Sequence, residues 1–301
     1  LNFEGTGLWM VNVLLALVMF GVALDLTPAD FKNIARAPKP VIAGLITHYL
    51  ALPVATFLLV LLLRPRPSIA LGMMLVAACP GGNLSNFLIQ QAKGNTALSI
   101  SLTAISTLAA IVMTPLLVTV SARLYPDTAS LLREIQIDPF RMAMLVFLLL
   151  ALPLFAGMTF NHYLPRAAEL LRNPFKYFSM IFLLVFAAFL FISNYAVFTA
   201  YIHSVALAVF AHNTVGLLTG YATARLLRLL PRDVRALTIE SGIRNSMFGL
   251  VLVFAFFEGL GGMALVAATW GIWHLVAGLF IAVCWSYKPL PQPQETPDAS
   301  Q

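Results

Sequence analysis

The sequence predicts an all-α membrane protein, and three observations support that prediction. Of 301 residues, 60% are hydrophobic and only 10% charged, where a soluble domain carries about 25% charged residues. Mean hydropathy is +0.89. The apolar residues also fall into nine stretches, near 7–25, 40–63, 68–91, 95–121, 142–162, 175–196, 200–224, 236–257 and 261–286, each close to the ~20 residues a membrane-spanning helix needs. The absence of period-two alternation argues against an outer-membrane barrel. This composition excludes a soluble enzyme, a disordered chain and a nucleic-acid reader. Cys79 and Cys284 lie in apolar stretches, so neither a disulfide framework nor a cysteine metal site is expected. The opening residues do not read as a cleavable leader, and Leu1 in place of Met suggests a trimmed start.

Taken in order, the nine stretches alternate sides, and basic residues orient them. Lys32, Arg36, Lys39, Lys93, Arg166, Arg172, Lys176, Arg225, Arg228, Arg232, Arg235 and Lys288 fall on one side; Arg64, Arg66, Arg123, Arg133 and Arg141 fall on the other. The first side is expected to be cytoplasmic, with the N-terminus outside and the C-terminus inside. The Arg225–Arg235 cluster reads either as a topology anchor or as a contact to anionic lipid. Residues 289–301, rich in Pro, Gln and acids, predict a disordered cytoplasmic tail.

Two spans are interrupted. The third contains Cys79-Pro80-Gly81-Gly82-Asn83-Leu84-Ser85-Asn86. Pro removes a backbone donor and Gly weakens a helix, so a break is expected at Pro80, Gly81 and Gly82. Freed backbone groups cannot face lipid; they must line a cavity or be buried in protein. The eighth contains Glu240-Ser241-Gly242-Ile243-Arg244-Asn245-Ser246. A charge at this depth costs at least a few kcal/mol. Either Glu240 and Arg244 form an internal pair at i,i+4, or both are functional and Gly242 breaks the helix between them. The two interruptions lie half a chain apart. Matching interruptions in two halves point to a transporter binding site, and an offset of five spans makes the halves inverted repeats, the first lacking its first helix. Two discontinuous crossing helices would offer amide-lined and carbonyl-lined ends together.

Oxygen donors cluster nearby. A hard cation takes about five or six oxygens. Ser85 and Asn86 follow the first break, Ser99 and Thr103 share a helix face at i,i+4, and Glu240 supplies a carboxylate. The hydroxyls of Ser99 and Thr103 have a competing use, bonding back to their own helix. His212-Asn213, near Gly216 and Gly220, reads first as close helix packing.

Gly21–Phe31, Cys79–Asn86, Ala92-Lys93-Gly94-Asn95, Ala104–Leu108, His212-Asn213, Ala236–Glu240 and Trp273-His274 together resemble the bile acid/sodium symporter family across about residues 10–285. The resemblance implies one transporter unit over 1–288. Its core would comprise spans 2–4 and 7–9 (about 40–121 and 200–286), and its panel spans 1, 5 and 6 (about 7–25 and 142–196). It implies sodium-coupled symport of an organic anion, bile-acid-like or a small carboxylate, by alternating access in a bacterial inner membrane, with no enzymatic activity and no obligate protein partner. The alternative on the same fold is a sodium-independent carrier driven by protons or exchange. An intramembrane enzyme is disfavoured, since no paired Asp, HExxH or Ser/His dyad at helical spacing occurs.

The family's first sodium site carries over onto Ser85, Asn86, Ser99, Thr103 and Glu240. Its second uses two glutamines, and here those positions hold His48 and Arg244. A guanidinium cannot ligate Na⁺, so a single sodium site is expected. Arg244 reads either as a fixed charge in place of the second ion, partnered by Glu240, or as a bidentate partner of the substrate's acid group. His48 either titrates and brings in a proton or sits neutral and hydrogen-bonded. Asn83, Asn245 and His274 complete the expected substrate contacts. Leu275 stands where better-known members often carry Asn, and Asn83 where they often carry Thr, which favours a small organic acid at least as much as a bile salt.

Overall fold

The structure, a computed structural model, describes residues 5–24, 38–82, 84–129, 139–193 and 195–288. Among the described residues the regular elements are helices. The helices are α1 (Gly5–Ala23), α2 (Pro38–Leu63), α3 (Pro67–Ala78), α4 (Leu84–Gln91), α5 (Thr96–Leu124), α6 (139–163), α7 (Pro165–Ser193), α8 (Tyr195–Leu226), α9 (Pro231–Gly242), α10 (Ser246–Phe256) and α11 (Gly261–Ser286). Five are individually long and apolar enough to cross a membrane, within α2, α5, α6, α8 and α11. The apolar stretches of α1, α3 and α10 are shorter. The tail at 289–301 and Asn83 lie outside the described residues.

Prolines set several of these boundaries. Pro67 and Pro231 open α3 and α9, where their missing N–H groups have no helical partner to lose. Pro53 and Pro153 lie inside α2 and α6, where a proline ring would strike the carbonyl four residues back. Both helices relieve this with a widened π-turn just upstream, at Thr47–Ala51 and Phe147–Ala151, as is common at functional positions. In α2 the π-turn leaves Thr47 and His48 buried side by side.

α8 lies along α9. Any side chain at Gly220 would collide with Leu237 O and Ser241, and one at Gly216 would crowd Ser241 O. Small residues thus bring the two backbones together. Gly72 of α3 sits equally tightly on Met263 and Val266 of α11. α1 packs on α6 and α7; Gly157 meets Ala23 and Phe20 O there.

The core falls into three clusters, the smallest formed by Ala23, Ala104 and Leu154. The largest centres on α3, α10 and α11 (Leu71, Met73, Leu75, Phe248, Val251, Trp270) and takes in Leu15 and Met19 of α1 and Met142, Val146 and Leu150 of α6. A smaller one joins α4, α9 and the start of α2 and α5 (Val41, Leu88, Ile89, Leu102, Leu237, Ile243). α3 and α4 therefore belong to different clusters, as do α9 and α10. The polar layer between the clusters is where both chains leave the helix.

The second interruption lies between Glu240 and Arg244, one residue after the expected Gly242: α9 ends at Gly242 and the chain is extended at Ile243. The notch that Leu217 would deny to any side chain at Gly242 explains the glycine. Arg244 is consequently off the helix, so an i,i+4 pair with Glu240 does not form. α7 also begins ten residues before the expected apolar stretch, because its amphipathic opening Pro165–Pro174 extends the helix.

Candidate functional site

The two interruptions meet. Cys79 and Ile243 are both extended, and the segments pair as a short antiparallel bridge between Gly81 and Arg244. Gly82 N donates to Ile243 O at 3.0 Å and Asn245 N donates to Pro80 O at 3.1 Å. Each broken segment satisfies the other's backbone, which removes the cost of unpaired amides in an apolar surrounding. Gly81 and Gly82 are required by this approach. A Cβ on Gly81 would strike Glu240 Oε1, and one on Gly82 would come within 3.1 Å of the Arg244 carbonyl.

Side chains from neighbouring helices hold the remaining loose ends. Thr114 of α5 donates to Ala78 O at 2.7 Å, the terminal carbonyl of α3. Ser106 accepts from Gly81 N at 3.3 Å. Asn213 of α8 donates to Gly242 O at 2.8 Å, the matching carbonyl of α9. Asn245 caps α10 by accepting from Phe248 N at 3.1 Å. Its side-chain oxygen is thereby committed to the helix.

Glu240, completely buried, lies at the centre. Thr103 donates to its Oε1 at 2.7 Å and Ser99 to its Oε2 at 2.6 Å. Ser99 Oγ also lies 2.7 Å from Asn86 Oδ1 and 3.3 Å from Ser85 Oγ. Three elements (α4, α5 and α9) thus bring Ser85, Asn86, Ser99, Thr103 and Glu240 together. The hydroxyls of Ser99 and Thr103 bond across to α9 and not back to their own helix. Thr107, by contrast, does bond back, to Thr103 O at 2.7 Å. The Ser99 hydroxyl has one proton and faces both Glu240 Oε2 and Asn86 Oδ1, so it cannot satisfy both. Oxygens outnumber protons here, which is the chemistry of a hard-cation site.

Arg244 is 1% exposed. Its Nη1 donates to Cys79 O at 3.3 Å, while Nε and Nη2 have no hydrogen-bond partner. No hydrogen bond links Arg244 to Glu240, whose carboxylate is held by Ser99 and Thr103. His48, equally buried, leaves both ring nitrogens unpartnered. Beside it, Tyr49 donates to Ser106 O at 2.9 Å. His274 is buried on α11, one turn beyond Gly271, where a side chain would crowd Ser246 Oγ. Asn83 lies outside the described residues.

Sequence reasoning does not single out Ser106, Thr114 or Asn213 for the crossing. A signal for the first two exists: Ser99, Thr103, Ser106 and Thr114 recur at helical spacing as one polar stripe along α5. Asn213 reads as packing, and only the structure gives it the Gly242 carbonyl.

Two crossed, interrupted helices around a buried carboxylate are the build of a membrane transport protein. A model of the sodium bile acid symporter family matches residues 12–201, and the chain belongs to that family. It is 31% identical over 278 residues to the sodium-dependent transporter YocS of Bacillus subtilis, covering 92% of this chain and 83% of that protein. It is 30% identical over 271 residues to the probable sodium/metabolite cotransporter BASS1 of Arabidopsis thaliana chloroplasts, covering 90% of this chain and 65% of that one. A mouse sodium-dependent organic anion transporter is 26% identical over 281 residues, with 92% of this chain and 73% of that one aligned. These relatives are transporters, not enzymes.

Proposed function

We propose that this protein takes up an organic anion together with Na⁺ by alternating access. The observation that supports it best is the convergence of Ser85, Asn86, Ser99, Thr103 and Glu240 at the crossing, with oxygens in excess of protons. Na⁺ is the cargo these five would hold. At the other buried polar position Arg244 and His48 supply nitrogen, so one Na⁺ moves per cycle.

The substrate's acid group binds beside the crossing. Arg244 offers two uncommitted N–H directions and His48 two uncommitted nitrogens. Asn83, Asn245 and His274 contact the rest. Asn245 keeps its Oδ1 on Phe248 N and offers its Nδ2, which now lies 3.7 Å from Met19 Sδ.

α3 with α4, and α9 with α10, each form one interrupted span; with α1, α2, α5, α6, α7, α8 and α11 this gives nine spans, in two inverted halves of which the first lacks a helix. α2–α5 and α8–α11 act as the core over 40–121 and 200–286. α1, α6 and α7 act as the panel, and α1 packs on both α6 and α7. Arg235 bonds Ala92 O, Trp285 O and Lys288 O, and Asn95 bonds Asp233. Loops assigned to the cytoplasm thus share one end of the molecule, which supports a C-terminus inside and an N-terminus outside, in a bacterial inner membrane.

The test is the thermal midpoint of purified protein in Na⁺ against K⁺ with a panel of small organic anions, followed by uptake into proteoliposomes with and without a Na⁺ gradient. A ligand that binds only the folded state raises the midpoint. Na⁺-selective stabilisation and gradient-driven uptake are expected. Equal uptake without Na⁺ would leave the sodium-independent carrier as the correct reading.

A further inference from the structure

We propose that Arg244 is the coupling charge of this carrier: it makes the sodium-loaded, anion-free crossing a buried net cation that cannot reorient, so that a monovalent anion must accompany each ion. This rests on the sodium symport reading above and adds to it the charge of the substrate and the reason coupling is obligatory.

Among the described residues, the charged side chains buried at the crossing are Glu240 and Arg244; the other buried charges, Asp233 and Arg235, lie at the start of α9. His48 adds none, since an imidazolium there would bury two unpartnered N–H groups beside a guanidinium. A guanidinium keeps its proton in proteins. The crossing is therefore neutral when empty. One Na⁺ in the Glu240 cage makes it +1, and one Na⁺ with a monovalent anion returns it to zero.

Reorientation requires the site to be closed from water on both sides at once. Closing it over a net charge is costly and closing it over zero is not. The empty and fully loaded states can cross, and the state with Na⁺ alone cannot. Geometry supports this role for Arg244 over a purely structural one. Its side chain makes a single long bond, to Cys79 O at 3.3 Å, and leaves Nε and Nη2 without partners. A residue kept only to staple the two segments would use those donors. The staple is already made by the backbone bonds of Gly82 and Asn245.

Removing the charge lifts the rule. With Arg244→Gln the crossing is neutral with one Na⁺ on Glu240, so the ion-loaded form crosses without any anion. The variant becomes a Na⁺/Na⁺ exchanger. The experiment reconstitutes the full chain in liposomes loaded with unlabelled Na⁺, adds radiolabelled Na⁺ outside with no organic anion, and follows exchange. Na⁺ binding to the same preparations is measured separately by equilibrium dialysis. Wild type is expected to bind Na⁺ without exchanging it. Arg244→Gln should exchange on the order of 100-fold faster, the factor a buried charge commands even on the lenient insertion scale. Arg244→Lys, which keeps the charge and loses the fork, should behave as wild type. Exchange by wild type overturns the proposal, and so does Arg244→Gln that binds Na⁺ yet stays silent. If Arg244→Gln does not survive purification, Arg244→Met and the wild-type measurement decide it. Absence of Na⁺ binding to wild type would instead overturn the symport reading.

Discussion

Replacing Gly81 with alanine puts a methyl group where Glu240 Oε1 lies. The backbone cannot yield easily, because Gly81 is locked into the bridge with Arg244 and flanked by the Gly82 and Asn245 bonds. The carboxylate must move, and the 2.7 Å hydrogen bond from Thr103 to that oxygen breaks first. A hydrogen bond to a charged group is worth about 1.5–3 kcal/mol. Without it the ion-binding arrangement holds Na⁺ about 10- to 150-fold more weakly. If the 2.6 Å bond from Ser99 breaks as well, the cost doubles in free energy. The assay is a Na⁺ titration of the thermal midpoint in purified protein, with K⁺ holding ionic strength constant. Gly81→Ala should remain folded in K⁺, and its Na⁺ midpoint should move to higher concentration by at least that factor. An unchanged Na⁺ titration in a folded Gly81→Ala variant would refute the placement of the ion against Glu240 Oε1.

Other perturbations probe the same arrangement. Glu240→Gln keeps the shape but removes the charge, so Na⁺-specific stabilisation should vanish; a variant still stabilised by Na⁺ over K⁺ would show that the ion sits elsewhere. Asn213→Ala leaves Gly242 O buried without its donor, a cost of about 1–3 kcal/mol. The Na⁺-free midpoint should fall by several degrees, at roughly 2 °C per kcal/mol for a chain of this size; no fall would mean that water replaces the amide. Asn95 caps α5 by accepting from Leu98 N and also bonds Asp233. Asn95→Ala should therefore cost about 1 kcal/mol or more while leaving the Na⁺ titration midpoint in place, and a shifted midpoint would tie this contact to the ion site.

The first interruption is legible in the sequence because its causes are local. Pro80 lacks a backbone donor and Gly81 and Gly82 weaken a helix wherever they stand, so a break near residue 80 needs no knowledge of neighbours. The second is less legible. Gly242 suggests a break at itself, yet α9 continues through it. That glycine answers to Leu217 of α8, which takes the space a side chain would need. Ser99 and Thr103 show the same limit in reverse. Their hydroxyls have two uses compatible with the sequence, and the nearness of Glu240, 141 and 137 residues along the chain, selects one. For Arg244 the spacing suggests a helical i,i+4 partner in Glu240, and the extended bridge takes Arg244 off that helix.

The sequence by itself determined which segments are apolar enough to leave water and where helices cannot continue, since both follow from the chemistry of neighbouring residues. It also determined which side chains have oxygens or charge to offer at that depth. Tertiary structure alone decided that the two unwound segments pair with each other. It likewise decided that Glu240 is met by α5 hydroxyls, and that Arg244 is left with free donors beside His48. Those outcomes depend on which helix faces pack across more than a hundred residues, and a linear pattern of burial does not encode that choice.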